Sequence, residues 1–202
     1  MYRRELAGSL ACDAPPPLPQ AADTGRVQRW ETGHGVLYHR RYAVRIRDAD
    51  LSAELLMARL KRDPNHAAPS AFATFHKTRG DEGTMRVGDE YVVRMPGPWD
   101  GPVRVVEVDS RSYRLATLES HLEAGQIRTC ATDDGSTLEF VVESWARSGD
   151  RVSDLLHRRL HIAKEVQLHM WTSFLERVVA LCRGRMEDGI SITTWRVDDV
   201  AG

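Results

Sequence analysis

The stretch Val103-Arg104-Val105-Val106-Glu107-Val108-Asp109-Ser110-Arg111-Ser112-Tyr113-Arg114-Leu115-Ala116-Thr117 decides the fold. Two strand-like runs flank the polar pair Ser110-Arg111, the pattern of antiparallel strands joined by a two-residue turn. That turn pairs Val108 with Tyr113, Glu107 with Arg114, Val106 with Leu115 and Arg104 with Thr117. Glu107 and Arg114 suit a solvated face. The other face then carries Arg104, Val106, Val108, Tyr113, Leu115 and Thr117.

Outward from this hairpin, further strands are expected at 90–95, 126–132 and 137–145, separated by Pro96-Gly97-Pro98, Asp100-Gly101 and Asp134-Gly135. The Asp134-Gly135 turn pairs Ala131 with Leu138, Thr129 with Phe140 and Ile127 with Val142. Upstream, 40–47 alternates with Tyr42, Val44 and Ile46 on one face. Asp50 or Ser52 caps a short helix that carries Leu55, Leu56, Met57 and Leu60, and Pro64 ends it. A strand is expected from Phe72 to Thr78. At Asp150 the period changes, and Asp150 to Arg183 reads as one amphipathic helix of about nine turns. Its stripe is Val152, Leu155, Leu156, Ala163, Val166, Met170, Phe174 and Leu181.

The ends read differently. Residues 1–36, with Pro15, Pro16, Pro17 and Pro19, are expected to be a Pro-rich tail. Residues 37–184 form the expected domain, and 185–202 a C-terminal appendage in which Ile190 to Trp195 could make a short strand. A tail of this kind could also recruit a partner protein.

Composition narrows the function. The chain has 202 residues, 42% hydrophobic and 28% charged, which suits one globular domain with a real core. Its 28 Lys and Arg nearly balance 29 Asp and Glu, for a net charge of -1, which argues against a nucleic-acid binder. No apolar run approaches the roughly 20 residues of a membrane helix. Cys12, Cys130 and Cys182 are few and far apart, so neither a disulfide framework nor a zinc knuckle is expected, and the cytoplasm is the simplest compartment. The Leu6 to Cys12 run is too short for a secretory signal.

A sheet with one apolar face needs a cover, and the long helix is the one large element available. The polar groups expected between them are Tyr42, Tyr91, Arg104, Tyr113, Thr117, Thr129 and Ser144, with Phe140 beside them and Gln167 at the edge of the helix stripe. Arg104 has two readings. It could anchor a carboxylate, enolate or phosphate, or it could be paired in a structural ion pair, with Glu119 or Glu123 as candidates. The ion pair is preferred, because buried charges are usually paired within the protein. The tyrosines read as core residues before catalysts. His157 and His161 lie four apart on the long helix opposite its stripe, which reads as a solvated face and gives no metal site. Arg40, Arg45 and Arg47 read as a solvated strand face. No nucleophile elbow, phosphate loop or dinucleotide fingerprint is present, and no cofactor is implied.

The block Thr117-Leu118-Glu119-Ser120-His121-Leu122-Glu123-Ala124-Gly125-Gln126 resembles the T-L-x-x-H-x-x-x-G-E pattern of a bacterial and plant family of unknown function. The motif residues are Thr117, Leu118, His121 and Gly125, and Gln126 stands where the family usually has Glu. Ser144-Trp145-Ala146-Arg147-Ser148 and Lys164-Glu165-Val166-Gln167 fit the same family. That family resembles the START-like, helix-grip superfamily of polyketide cyclases and pollen-allergen-like lipid carriers. The resemblance implies an α+β fold: a curved seven-stranded antiparallel sheet wrapped around a long C-terminal helix, with two short helices after the first strand. It implies no activity, since fold alone supplies none. His121 reads as a loop brace, with an acid-base role open to it. The function expected is binding of a hydrophobic, lipid- or polyketide-like small molecule between sheet and helix. The alternative is a cyclase or dehydratase in which Arg104 stabilises an enolate and Tyr91, Tyr113 or His121 moves protons.

Overall fold

The computed structural model describes residues 1–22, 25–71, 73–95, 100–149 and 155–198, with backbone alone for 155–167. In chain order the elements are β1 (Tyr2–Ala7), α1 (Leu10–Asp13), a 3-10 turn (Trp30–Thr32), β2 (His34–Arg47), α2 (Ala53–Arg62) and a 3-10 turn (Pro64–His66). They continue with β3 (Thr74–Arg79), β4 (Glu90–Arg94), β5 (Asp100–Val108), β6 (Ser112–Thr117), β7 (Glu123–Asp133), β8 (Thr137–Ser148), α3 (Leu155–Cys182) and β9 (Arg185–Val197). The expected α+β class holds, as one sheet in the order β1-β9-β2-β8-β7-β6-β5-β4-β3. Only β1 and β9 pair in parallel; the other neighbours are antiparallel.

Among the described residues the sheet has nine strands where seven were expected. The two extra strands come from the segments read as tail and appendage. β9 covers the edge of β2 and buries Ile190 and Ile192, which protects an edge that would otherwise template another chain. β1 then pairs with β9, all six of its side chains exposed. Residues 15–22 cross the outer face of the sheet, where Ala22 and Val27 pack with Val106, Ala116 and Leu118. After β2 the chain makes one α-helix and one 3-10 turn rather than two helices, because Pro64 stops α2 and Asp63 caps the turn through Asn65 N. Ser52 is the α2 cap, its side chain accepting from Leu55 N.

Register explains the main correction. The Ser110-Arg111 turn pairs Val108 with Tyr113 and Glu107 with Arg114, as expected. Val106 is then an extra residue, and Val105 rather than Val106 pairs with Leu115. Such a bulge turns every residue beyond it to the other face. Val103 therefore joins Thr117 on the inner face, while Arg104 and Val106 face outward. The β7–β8 turn slips differently. Ala131 pairs with Phe140, Thr129 with Val142 and Ile127 with Ser144, a shift of two residues that leaves each side chain on its expected face.

The core lies between the inner face and α3. Leu168, Met170, Trp171, Phe174, Leu175, Val178 and Cys182 are buried against Tyr42, Val44, Ile46, Phe140 and Val142. Phe174 stacks on Phe140 at 6.1 Å between ring centres, and Trp171 tilts over Tyr42 at 6.5 Å. The expected helix start at Asp150, with Val152, lies outside the described residues, as do Phe72, the Pro96–Pro98 turn and the side chains of Leu155, Leu156, His157, His161, Ala163, Lys164, Glu165, Val166 and Gln167.

Candidate functional site

Strand alternation places Tyr42, Tyr91, Tyr113, Thr129, Phe140 and Ser144 on the inner face, all of them buried. Thr117 is on this face too, but its hydroxyl is committed. It accepts from Gly125 N at 2.9 Å and lies 3.1 Å from Gln28 O, to which it donates. The Gln167 side chain lies outside the described residues.

Arg104 is not part of this face. Its Nη1 donates to Glu90 Oε1 at 2.9 Å on the outer side, and Arg26 approaches the other oxygen of the same carboxylate at 3.2 Å. The preferred structural ion pair is what forms, with Glu90 of the neighbouring strand as partner rather than Glu119 or Glu123. The bulge at Val106 is the physical reason, and it removes the enolate anchor on which the cyclase alternative depended.

The inner-face phenols are held neutral. Burial pushes Tyr113 up to about 12, with Thr129 pulling the other way. Burial also raises Tyr42, and it raises Tyr91 against the pull of Lys77. None is poised to act as a base near neutral pH. His121 is a brace: its Nδ1 accepts from Glu123 N at 2.9 Å. Burial lowers its pKa against the pull of Glu123, so the imidazole is neutral. Gly125 shows why the motif needs glycine, because a Cβ there would come within 1.9 Å of the Trp145 carbonyl oxygen.

Two buried polar atoms on the inner side have no hydrogen-bond partner among the described residues, Ser144 Oγ and Trp171 Nε1. Both flank Tyr42. Trp171 lies over its ring, and Ser144 is two residues along β8 from Val142, which pairs with Tyr42. Arg40 pairs with Ser144 and is buried, its guanidinium 4.6 Å above the Tyr38 ring. It is therefore not part of a solvated face, although Arg45 and Arg47 are exposed and reach Glu187.

At the other end the space between sheet and helices opens to solvent. A cleft of about 690 Å³ is bounded by the last turn of α2, by Phe75, Lys77 and Tyr91 of β3 and β4, and by Leu181 of α3. This is within the usual range of small-molecule sites. Asn65 fixes one wall, its side-chain amide pairing with the backbone N and O of Phe75 at 2.8 and 2.9 Å. Sequence reasoning missed Arg59, Arg62, Phe75 and Lys77 as lining residues. The signals were the i, i+3 spacing of the arginines and the alternation of Phe75 with Lys77.

The outer face is built otherwise. His39 Nδ1 lies 2.9 Å from Asp13 Oδ1 and its Nε2 lies 2.8 Å from Glu143 Oε1. Its ring stacks between Trp145 and Trp195, at 4.9 and 4.5 Å. Burial pulls its pKa down, but the bonds to Glu143 and Asp13 outweigh that and hold it above the ordinary histidine value. Arg114 donates to Gln126 Oε1, Glu107 Oε2 and the carbonyls of Pro16 and Pro17. Gln126 Nε2 donates to Pro16 O at 3.1 Å, which a glutamate at this family position could not do. A smaller hollow of about 310 Å³ lies under Pro15–Leu18 beside Trp30. Among the described residues no group of three His, Cys, Asp or Glu side chains is arranged to hold a metal ion, and no helix is long and apolar enough to cross a membrane.

No family model matches the sequence, and no curated protein is significantly similar to it. Solved structures are similar in fold. Major latex-like protein 151 from Panax ginseng is 14% identical over 71% of this chain and 97% of its own, with a TM-score of 0.51. Norcoclaurine synthase from Thalictrum flavum, solved with dopamine and hydroxybenzaldehyde, is 14% identical over 79% of this chain and 93% of its own, at 0.50. The di-domain ARO/CYC StfQ of the steffimycin biosynthetic pathway is 11% identical over 73% of this chain and 51% of its own, also at 0.50. With the strand order and the helix laid on the inner face, these likenesses establish that the chain has the START-like, helix-grip fold.

Proposed function

We propose that the protein binds a hydrophobic small molecule between the inner face of the sheet and α3. The observation that carries this reading is the cleft of about 690 Å³, which brings solvent to the inner-face residues Phe75 and Tyr91 and to Leu181 of α3. The unpartnered Ser144 Oγ and Trp171 Nε1 add support. A buried polar atom without a partner costs about 1–3 kcal/mol, and a guest with an acceptor group would relieve it. Norcoclaurine synthase was solved with two aromatic molecules, which agrees with small-molecule binding in this fold.

Cyclase chemistry has less support. Arg104 faces away, the three inner phenols are neutral, and His121 spends Nδ1 on the loop backbone. The test is native mass spectrometry after incubation with a lipid or polyketide extract. The reading expects a stoichiometric small-molecule adduct that survives desalting. A chain that stays bare at every extract concentration contradicts it.

A further inference from the structure

The cleft has a chemical asymmetry. Three basic residues fill the last turn of α2: Arg59, Lys61 and Arg62. Complementing the helix dipole explains a basic last turn, but not how the three are used. Lys61 turns away and donates to the carbonyls of Asp109 and Ser110 at 2.5 and 3.2 Å. Arg59 and Arg62, one turn apart, line the cleft instead. Neither has a carboxylate within salt-bridge distance among the described residues, unlike Arg41 with Glu139, Arg86 with Asp81 or Arg111 with Glu54.

The other charges of the cleft are accounted for. Lys77 is spent on Asp89 Oδ2 at 2.7 Å and on the carbonyls of Asp81 and Thr84 at 2.7 and 2.6 Å. Asp63 Oδ1 accepts from Asn65 N at 2.9 Å. Glu82 is an exposed carboxylate on the rim, and His66 is exposed as well. Two guanidinium groups therefore stand uncommitted beside an apolar floor of Phe75, Tyr91 and Leu181. Guanidinium forks match planar or tetrahedral oxyanions better than any other side chain does.

We infer that the cleft selects an apolar molecule bearing one anionic group, a carboxylate, sulfonate or phosphate, with Arg59 and Arg62 holding the anion and Phe75, Tyr91 and Leu181 the apolar body. This rests on the small-molecule reading above and specifies its ligand class. Glu82 on the rim and the Asp63 carboxylate at the end of α2 oppose the anion and limit affinity.

Two fluorescent probes that differ by one sulfonate provide the test: anilinonaphthalene sulfonate and the neutral phenylnaphthylamine. The wild-type chain is expected to bind both, the sulfonate more tightly. Arg59→Gln with Arg62→Gln should weaken the sulfonate at least about tenfold and leave the neutral probe within about twofold. Glu82→Gln should tighten the sulfonate alone. Both arginines are exposed and glutamine is a good helix former, so an unchanged melting temperature verifies the fold. If the double variant weakens both probes equally, or neither, the anion proposal is overturned while small-molecule binding stands. If the wild type binds neither probe, both fail. Pelleting with phosphatidylcholine vesicles that contain phosphatidylglycerol, lost in the double variant, would assign the arginines to a bilayer headgroup and overturn a free ligand.

Discussion

The two faces of the sheet treat polar groups in opposite ways. On the outer face charge is abundant and closed on itself: Arg104 on Glu90, Arg114 on Glu107 and Gln126, His39 between Asp13 and Glu143. Among the described residues, the buried side-chain atoms there without a hydrogen-bond partner are Arg104 Nε, Arg128 Nε and Glu187 Oε2. Several of these bonds end on the N-terminal segment, at Asp13, Pro16 and Pro17, so the polar network fastens that segment to the sheet. The inner face is mostly apolar, with Arg40 and Lys77 as charged residues on it, yet it leaves Ser144 Oγ and Trp171 Nε1 without a partner among the described residues and opens into a cleft. Buried charge on the outer face serves architecture, and the unused polar atoms of the inner face lie on the same side of the sheet as the cleft, beyond its lining.

The largest effect is expected where the two faces share backbone. Gly125→Ala would set a methyl against the Trp145 carbonyl of the adjacent strand and should cost about 3 kcal/mol or more by urea denaturation. Arg114→Ala breaks the outer network at its centre, leaving Glu107, Gln126 and two proline carbonyls short of donors. A loss of about 3 kcal/mol is expected, with faster proteolysis within residues 14–22.

His39→Gln should cost about 1–2 kcal/mol in mild acid. Both ring nitrogens face carboxylates, so the imidazolium is the form the fold holds. Its folded pKa lies above the unfolded value of 6.5, so the contribution is full below 6.5 and is lost as pH rises through the raised folded value. The gap between wild type and variant should therefore narrow in mild alkali. A gap that widens with pH would show that His39 is held neutral. The smallest effect belongs to the inner face. Ser144→Ala removes a hydroxyl with no partner among the described residues and should raise stability by about 1 kcal/mol, the low end of the penalty for a buried unpartnered polar atom. A loss near that of Arg114→Ala would erase the contrast between the faces.

Much of the architecture was legible in local pattern. The Ser110-Arg111 hairpin, the alternation of Tyr42, Val44 and Ile46, and the long C-terminal helix all carry the periodicity of their elements. What stayed hidden depends on pairing between distant segments. The bulge at Val106 leaves no mark in a run of valines, yet it reverses Arg104. β1 is polar and exposed on both sides, so it has no apolar signal, and its existence depends on β9 about 190 residues later. Arg40 looks like Arg45 and Arg47 in sequence, but its side is covered and theirs is not. The cleft arginines were unreadable for the same reason: their meaning comes from Phe75, Tyr91 and Leu181 opposite them.

The chain's tryptophans allow the central claim to be tested face by face. Indole N–H signals of an isotope-labelled sample can be followed while phenylnaphthylamine is titrated in. A guest between sheet and α3 should move the Trp171 signal, whose Nε1 has no partner among the described residues, and leave those of Trp145 and Trp195 on the outer face in place. A Trp171 signal that stays fixed at saturation, with movement confined to Trp30 beside the outer hollow, would contradict the account.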